Sequence, residues 1–336
     1  MNYFIPFIEP YWLHESHRLE SRNLRLKLKD WYLPRDKKIK LPDIVAISIE
    51  SNSSNIILVD KVNNFVVKCN FEDYSGSWLF AQNSGYLKIE YGELLQKIFG
   101  PYSNCPKFYA LIVSEAETWT FKIRNIYLYV LRSQTTTSNI SSLVFYKKII
   151  ITKNFVFDKS TRAQLSELPS GNLLCSLTGS QELFKILRTS DEHFYVDRPI
   201  RLKNKFQCMT ICYVANYYEY LVVALSSNII EVYRIEDEDE LIFVDSINRS
   251  TDLFSISNLI WDPINRILMS KCVGKSLFDV YSITNSGGLT RRDEQIKTRE
   301  SEAHILEAKV FAIRLNQLLV YNSQNNQEAF YIFRLD

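Results

Sequence analysis

The chain has 336 residues, a formal net charge of +2 and 46% hydrophobic residues. Forty basic against 38 acidic residues leave no strong global field, which excludes a nucleic-acid binder driven by bulk charge. Nine glycines, under half the usual ~7%, weigh against phosphate-cradling loops, whereas 20 Tyr and 20 Phe favour strands.

Met1 to Trp12 is apolar but interrupted by Pro6, Glu9 and Pro10, and no basic residue precedes it. No signal peptide is expected there, and no run approaches the ~18 apolar residues of a membrane helix. An intracellular protein, nuclear or cytoplasmic, is the expectation. Leu24-Arg25-Leu26-Lys27-Leu28-Lys29 alternates like a half-exposed strand. It belongs to a basic tract, residues 22–40, in which Arg25, Lys27, Lys29, Lys37 and Lys38 are candidates for contact with RNA or an acidic protein surface.

Three strand-like runs follow, Ile44 to Ile49, Asn55 to Val59 and Asn64 to Cys69. Trp78 to Tyr91 reads as a hairpin turning at Asn83-Ser84-Gly85. Glu93 to Phe99 reads as one or two helical turns closed by Gly100-Pro101. Phe108 to Val113 and Trp119 to Val130 are further strands, and the polar stretch Ser133 to Ser138 is a possible junction. Basic residues adjoin aromatics in Phe145-Tyr146-Lys147-Lys148. A second basic set, Arg198, Arg201, Lys203 and Lys205, precedes Phe206. Such mixtures can track phosphates while rings stack on bases. Glu236-Asp237-Glu238-Asp239-Glu240 is an acidic run, a solvated loop or a docking patch for a basic partner. Ser286 to Glu307 is highly charged and reads as a mobile segment.

The second half carries a weak internal repeat. Four segments pair an apolar run with a polar turn and a second strand-like run. They start at Leu173, Leu221, Ile267 and Leu318, at spacings of 48, 46 and 51 residues. That period matches one four-stranded propeller blade, a small sheet that hides its two apolar faces only by packing against neighbours in a ring.

Asn258-Leu259-Ile260-Trp261-Asp262-Pro263, followed by a turn and Ile267-Leu268-Met269-Ser270, resembles the WD40 repeat family, as does Leu168 to Ser176. The chain departs from that family. Trp261-Asp262 precedes the second strand rather than ending the third, and no Gly-His pair opens a repeat. The family's Asp–His–Ser/Thr–Trp network therefore does not transfer to these residues. The resemblance covers about residues 165–336 and implies an all-β propeller acting as a non-catalytic scaffold among other protein subunits, in an assembly that could be nuclear. Dividing 336 residues by seven gives 48, so a seven-bladed ring is expected over residues 41–336. Residues 1–40 then form an extension able to supply a ring-closing strand. The alternative is a separate β domain over 41–132, of OB or barrel type, ahead of a partial propeller at 140–336.

Catalytic chemistry finds little support. No G-x-S-x-G occurs, and His14, His17, His193 and His304 form no metal-ligand spacing with the six cysteines, so neither metal nor cofactor is expected. Cys208 and Cys212 read as buried thiols on one strand, roughly 13 Å apart. A propeller enzyme with a central site is the competing reading. It would rest on Ser176, Thr178, Ser226, Ser227 and Ser270, expected at inner strand ends.

Overall fold

In the computed structural model the described residues are 25–32, 44–49, 55–60, 65–74, 77–88, 93–99, 108–116, 123–135, 141–156, 161–189, 193–214, 218–249, 254–263, 265–275, 277–298, 310–314, 317–324 and 327–335. Side chains are described within 110–292.

The first strand, β1 (Arg25–Tyr32), is used last in the architecture. Unit one is a meander of β2 (Ile44–Ile49), β3 (Asn55–Asp60), β4 (Phe65–Tyr74) and β5 (Ser77–Lys88). Unit two holds β6 (Glu93–Phe99), β7 (Phe108–Ala116), β8 (Ile123–Thr135) and β9 (Ser141–Val156). Unit three holds β10 (Ala163–Glu167), β11 (Leu173–Leu177), β12 (Glu182–Arg188) and β13 (Phe194–Val196), with β14 (Ile200–Arg201) also on β12. Unit four holds β15 (Phe206–Val214), β16 (Tyr218–Leu225), β17 (Ile229–Ile235) and β18 (Leu241–Asn248). Unit five holds β19 (Ile256–Asp262), β20 (Ile267–Cys272), β21 (Phe278–Ile283) and β22 (Leu289–Thr298). Unit six holds β23 (Val310–Arg314), β24 (Gln317–Gln324) and β25 (Gln327–Leu335). Its fourth strand is β1, antiparallel to β25 with Leu28 opposite Phe333, and parallel to β22 on its other side.

The first strands of the units touch in a cycle: β2 meets β6, β6 meets β10, β10 meets β15, β15 meets β19, β19 meets β23, and β23 returns to β2. The chain is an all-β propeller, with six such units among the described residues. The 48-residue spacing behind the seven-unit expectation does not hold throughout the described residues. Unit two runs from Glu93 to Val156, and its two outer strands have 13 and 16 residues.

The packing follows from period-2 alternation. In β11, Leu173, Cys175 and Leu177 join Ala110, Ile112, Leu128 and Val130 in one buried cluster between units two and three. Leu174, between them in sequence, joins Met209, Leu221 and Val223 between units three and four. Val222, Ala224 and Val232 turn the other way, to Leu259, Trp261, Leu268 and Tyr281 of unit five. The sheets of units three and four therefore bury both faces, which is why every residue of β11 is buried. Fully burying each such side chain contributes about 1.5–3 kcal/mol.

Several sequence expectations are corrected. Glu93–Phe99 is β6, not helical turns; its Leu94, Leu95, Ile98 and Phe99 pair in register with β7. The hairpin of unit one turns between Tyr74 and Ser77, while Asn83 and Gly85 oppose Cys69 and Lys68 across a register shift. A glycine there marks a bulge, not a turn. Ser133 to Thr135 lies within β8, which pairs with β9 across the proposed junction, so this stretch falls inside one sheet. Leu289–Thr298 is a strand, not a mobile segment, because its backbone pairs with β21. Residues 299–309 lie outside the described residues.

Candidate functional site

The outer hairpin of unit two concentrates charge of one sign. Strands β8 and β9 contain Arg124, Arg132, Lys147, Lys148 and Lys153 and no acidic residue. Val144, Phe145 and Tyr146 of β9 are exposed, Phe145 by 47%. Phe145 stands edge-on to Tyr129, with ring centres 5.3 Å apart. Lys148 is partly engaged: its ammonium lies 2.5 Å from a Glu115 oxygen and 3.9 Å from the Tyr127 ring centre. The Tyr129 hydroxyl donates to the same Glu115 carboxylate, and burial followed by that carboxylate raises the phenol's pKa. Lys147 Nζ lies 3.4 Å from His193 Nδ1, where unit three abuts unit two. Tyr195 of β13, two residues after His193, is exposed.

Unit three continues the basic character. Arg198, Arg201, Lys203 and Lys205 are all exposed, and the Lys203 ammonium lies 5.1 Å from the Phe243 ring centre of unit four. Arg201 stands opposite Glu182 in the β12–β14 register, so this set is less uniformly basic than the unit-two hairpin.

The acidic run has a different fate. Asp237–Asp239 forms a short 3-10 turn between β17 and β18. Glu236, Asp237, Glu238 and Glu240 are exposed, but Asp239 is buried. Ser170 Oγ donates to its Oδ2 at 2.6 Å, Asn172 Nδ2 at 2.7 Å, and Lys185 Nζ lies 3.9 Å away. Lys185 also donates to the Glu238 carbonyl. The expectation of five alike, solvated carboxylates is thus corrected: Asp239 fastens unit four to the first turn of unit three. Glu238 and Asp239 both sit at φ +59°, a left-handed backbone that the bonds to Asp239 hold in place. Glu219 lies in the same field, its pKa raised by burial and then by Asp239. Tyr213 is pushed up to about 12 by burial, then by Glu219 and Glu167.

A second polar network is sealed between units four and five. Arg249 is fully buried, and its Nη2 donates to Asp279 Oδ2 at 2.7 Å and approaches Cys272 Sγ at 3.4 Å. Arg291 Nη2 reaches the other Asp279 oxygen at 3.0 Å. Lys271, beside Cys272 on β20, is buried and donates to the carbonyls of Cys272, at 2.8 Å, and Lys275. Burial pushes Lys271 down to about 8. Sequence reasoning missed Arg249; Asn248-Arg249-Ser250 looks like any loop, and only the return of β18 toward β19 buries it.

Asp262 shows why the Trp261-Asp262-Pro263 stretch is a turn signal. Its carboxylate accepts the Asn265 backbone N–H at 3.3 Å and the Asn265 Nδ2 at 2.7 Å, closing the connection from β19 to β20. The serines expected at a central site are placed elsewhere. Ser176 and Ser270 lie on β11 and β20, the second strands, one step out from the ring centre, and both are buried. Ser176 Oγ donates to the Glu182 carbonyl at 2.8 Å. Thr178 follows β11, and Ser226 and Ser227 follow β16 and are exposed. Cys208 and Cys212 are buried on β15, and burial raises the Cys212 thiol.

Arg25, Lys27 and Lys29 lie on β1. The register sets Arg25 opposite Lys297 and Lys27 opposite Arg334, and it shifts between Leu28 and Asp30. Lys37, Lys38, His14, His17 and His304 lie outside the described residues. Among the described residues, no group of three or more His, Cys, Asp or Glu side chains gathers as a metal would require. No described helix is long and apolar enough to cross a membrane.

No protein-family model matches this chain, and no curated protein matches it in sequence. Solved structures do match in fold. The β-propeller domain of Cps50 (Swd1) from Myceliophteria thermophila superposes with a TM-score of 0.53 at 10% identity, covering 87% of this chain and 84% of that one. A candidate 6-phosphogluconolactonase from Bacteroides fragilis gives 0.53 at 12% identity, covering 75% and 69%. A protein from Lactobacillus plantarum gives 0.55 at 10% identity, covering 84% and 78%. These likenesses establish the propeller fold.

Proposed function

We propose that residues 25–32 and 41–336 act as one non-catalytic, WD40-like binding ring that joins other protein subunits in a larger assembly. The observation that carries this reading is the set of aromatic side chains left open on the outer strands. Phe145, Tyr195 and Phe243 are 47%, 49% and 47% exposed; Lys147 stands two residues from Phe145, and the Lys203 ammonium lies 5.1 Å from the Phe243 ring centre. Exposed aromatic side chains are among the residues enriched in the cores of protein interfaces. The exposed carboxylates of residues 236–240 offer a second, oppositely charged contact at the rim of unit four. The test is purification of the native complex. Stoichiometric protein partners support the reading; an isolated monomer that turns over a sugar-phosphate lactone, the reaction class suggested by one structural neighbour, contradicts it.

One observation favours a second reading, contact with nucleic acid at the seam of β1. Basic residues stand opposite basic residues there, Arg25 with Lys297 and Lys27 with Arg334, an arrangement that phosphates relieve. Salt-dependent RNA binding that disappears when Lys27, Lys29, Lys37 and Lys38 become Glu would support it; salt-independent or unchanged binding would remove it.

A further inference from the structure

We propose that the end of the ring where the chain enters units three, four and five docks an acidic peptide segment that carries an apolar side chain. This deepens the binding-ring reading and rests on it. One backbone bond, made three times, defines that end. The first residue after each second strand donates its N–H to the carbonyl just ahead of the same unit's first strand: Thr178 to Arg162 at 2.7 Å, Ser226 to Lys205 at 2.8 Å and Val273 to Ser255 at 2.9 Å. The Gly179 N–H reaches the Phe206 carbonyl at 2.9 Å, and the Arg249 N–H reaches the Asn228 carbonyl at 2.9 Å. The turns of units three to five and the links between them therefore form one continuous strip.

Charge selects the occupant, because the two ends differ in sign. On this strip Arg162, Arg198, Arg201, Lys203 and Lys205 are exposed and Lys275 is half-buried, against the carboxylates of Asp197 and Glu182. Among the described residues, none of the five exposed cations forms an ion pair. At the opposite end, the described turns 168–172, 236–240, 265–266 and 284–288 expose Glu236, Asp237, Glu238 and Glu240 against Arg266. A net charge of +2 conceals this separation, which steers an anionic partner to one end. The strip turns apolar in unit five, where Val273 is 60% and Phe254 43% exposed. The Lys275 ammonium lies 5.1 Å from the Phe254 ring centre, and Lys203 stands equally far from that of Phe243. Both rings are thus already faced by a cation, which disfavours the base stacking of a single-stranded nucleic acid. Val273, an aliphatic side chain in the open, suits a Leu or Ile instead. A second copy is the poorer fit: its acidic end would stack head to tail on this one, a contact that does not close and grows into a filament.

The intact chain is titrated with a fluorescein-labelled ten-residue peptide of Glu with Leu at two positions. The same peptide is tested with Gln for Glu and with Gly for Leu, beside oligouridylate of equal charge. The acidic Leu peptide is expected to bind at low salt and to weaken as salt rises. Arg162→Glu with Lys203→Glu and Lys205→Glu is expected to weaken it about tenfold, with circular dichroism and melting unchanged. Arg266→Glu, at the opposite end, should leave it nearly unchanged. Val273→Ser should remove the advantage of Leu over Gly. Carbodiimide, which joins carboxylates to amines, should couple the peptide to Lys203, Lys205 or Lys275 of the unaltered chain. Coupling confined to other lysines, equal binding of the Gln or Gly peptides, no binding of the acidic Leu peptide, or an equal loss in Arg266→Glu would each overturn the proposal. So would a Leu advantage that survives Val273→Ser, tighter binding of oligouridylate at the same residues, or self-association in sedimentation that the triple variant removes. If native partners co-purify undiminished with the triple variant, the surface assignment falls while the binding ring stands.

Discussion

At the seam between units four and five, Arg249 is fully buried and meets Asp279, which also holds Arg291. At the outer hairpin of unit two, Lys153 lies exposed, and only Lys148 among the lysines of β9 has a carboxylate, Glu115, against it in an ion pair among the described residues. The two regions use similar side chains in different surroundings. In the seam, charge removed from water is costly, so Arg249 and Arg291 are matched by Asp279 and the network fixes how two sheets meet. On the hairpin, water screens the cations, an excess of one sign is tolerated, and aromatic rings stay open. Buried charge here specifies architecture.

That contrast breaks most sharply at Asp279. Asp279→Ala strands a buried guanidinium and is expected to cost about 3–5 kcal/mol in urea unfolding. Arg249→Met combined with Asp279→Leu should recover most of that loss, since well-packed apolar residues often replace a buried pair without cost. If the double variant is as unstable as the single, the seam has a further role.

Gly287 should come next. It sits at φ +87°, and a Cβ there would lie 2.6 Å from Tyr220 and 2.9 Å from Val244. Gly287→Ala combines a left-handed backbone with overpacking, so a loss of about 2–4 kcal/mol is expected in the same assay. A loss below about 1 kcal/mol would show that this turn yields easily.

Asp239 tests the rim. Asp239→Ala removes bonds from Ser170 and Asn172 to a charged acceptor, for an expected loss of about 1.5–3 kcal/mol. Glu236→Ala touches only an exposed pair with Arg234 and should stay within about 1 kcal/mol. Equal effects at the two positions would return Asp239 to the solvated class.

Lys271 gives a pH signature. Its folded-state pKa is lowered to about 8 by burial, while the unfolded chain titrates near 10.4. Between those values the unfolded state binds more protons, so this group makes stability rise with pH across that window. Below about pH 8 both states are protonated and the burial penalty is present in full. Lys271→Met should flatten the difference curve between pH 8 and 10; an unchanged slope would show that the ammonium is solvated.

Much of the ring was legible because sheets packed on both faces leave continuous apolar runs. The four repeat segments found from Leu173 onward coincide with the second and third strands of units three to six. Trp261-Asp262-Pro263 marked the β19–β20 connection because the Asp262 carboxylate closes it. The unit count was not legible, since Ser141–Val156 stretches unit two and β1 belongs to unit six despite lying some 300 residues from β25. The alternation of Leu24 to Lys29 marked β1 as a strand, whereas its pairing with β25 lay beyond local reading. The acidic run was legible as charge but not as burial: nothing in Glu236-Asp237-Glu238-Asp239-Glu240 distinguishes Asp239 until Ser170 and Asn172 are brought to it.

The ring closure on which both surfaces depend is tested most directly by a disulfide across the β1–β25 register. Leu28→Cys with Phe333→Cys places thiols on directly opposed residues. Oxidation of the dilute monomer should form an intramolecular bond and stabilise the fold by up to roughly 5 kcal/mol, because it closes almost the whole chain. Failure to form that bond, or its appearance only between molecules, would contradict a ring whose first strand completes its last unit.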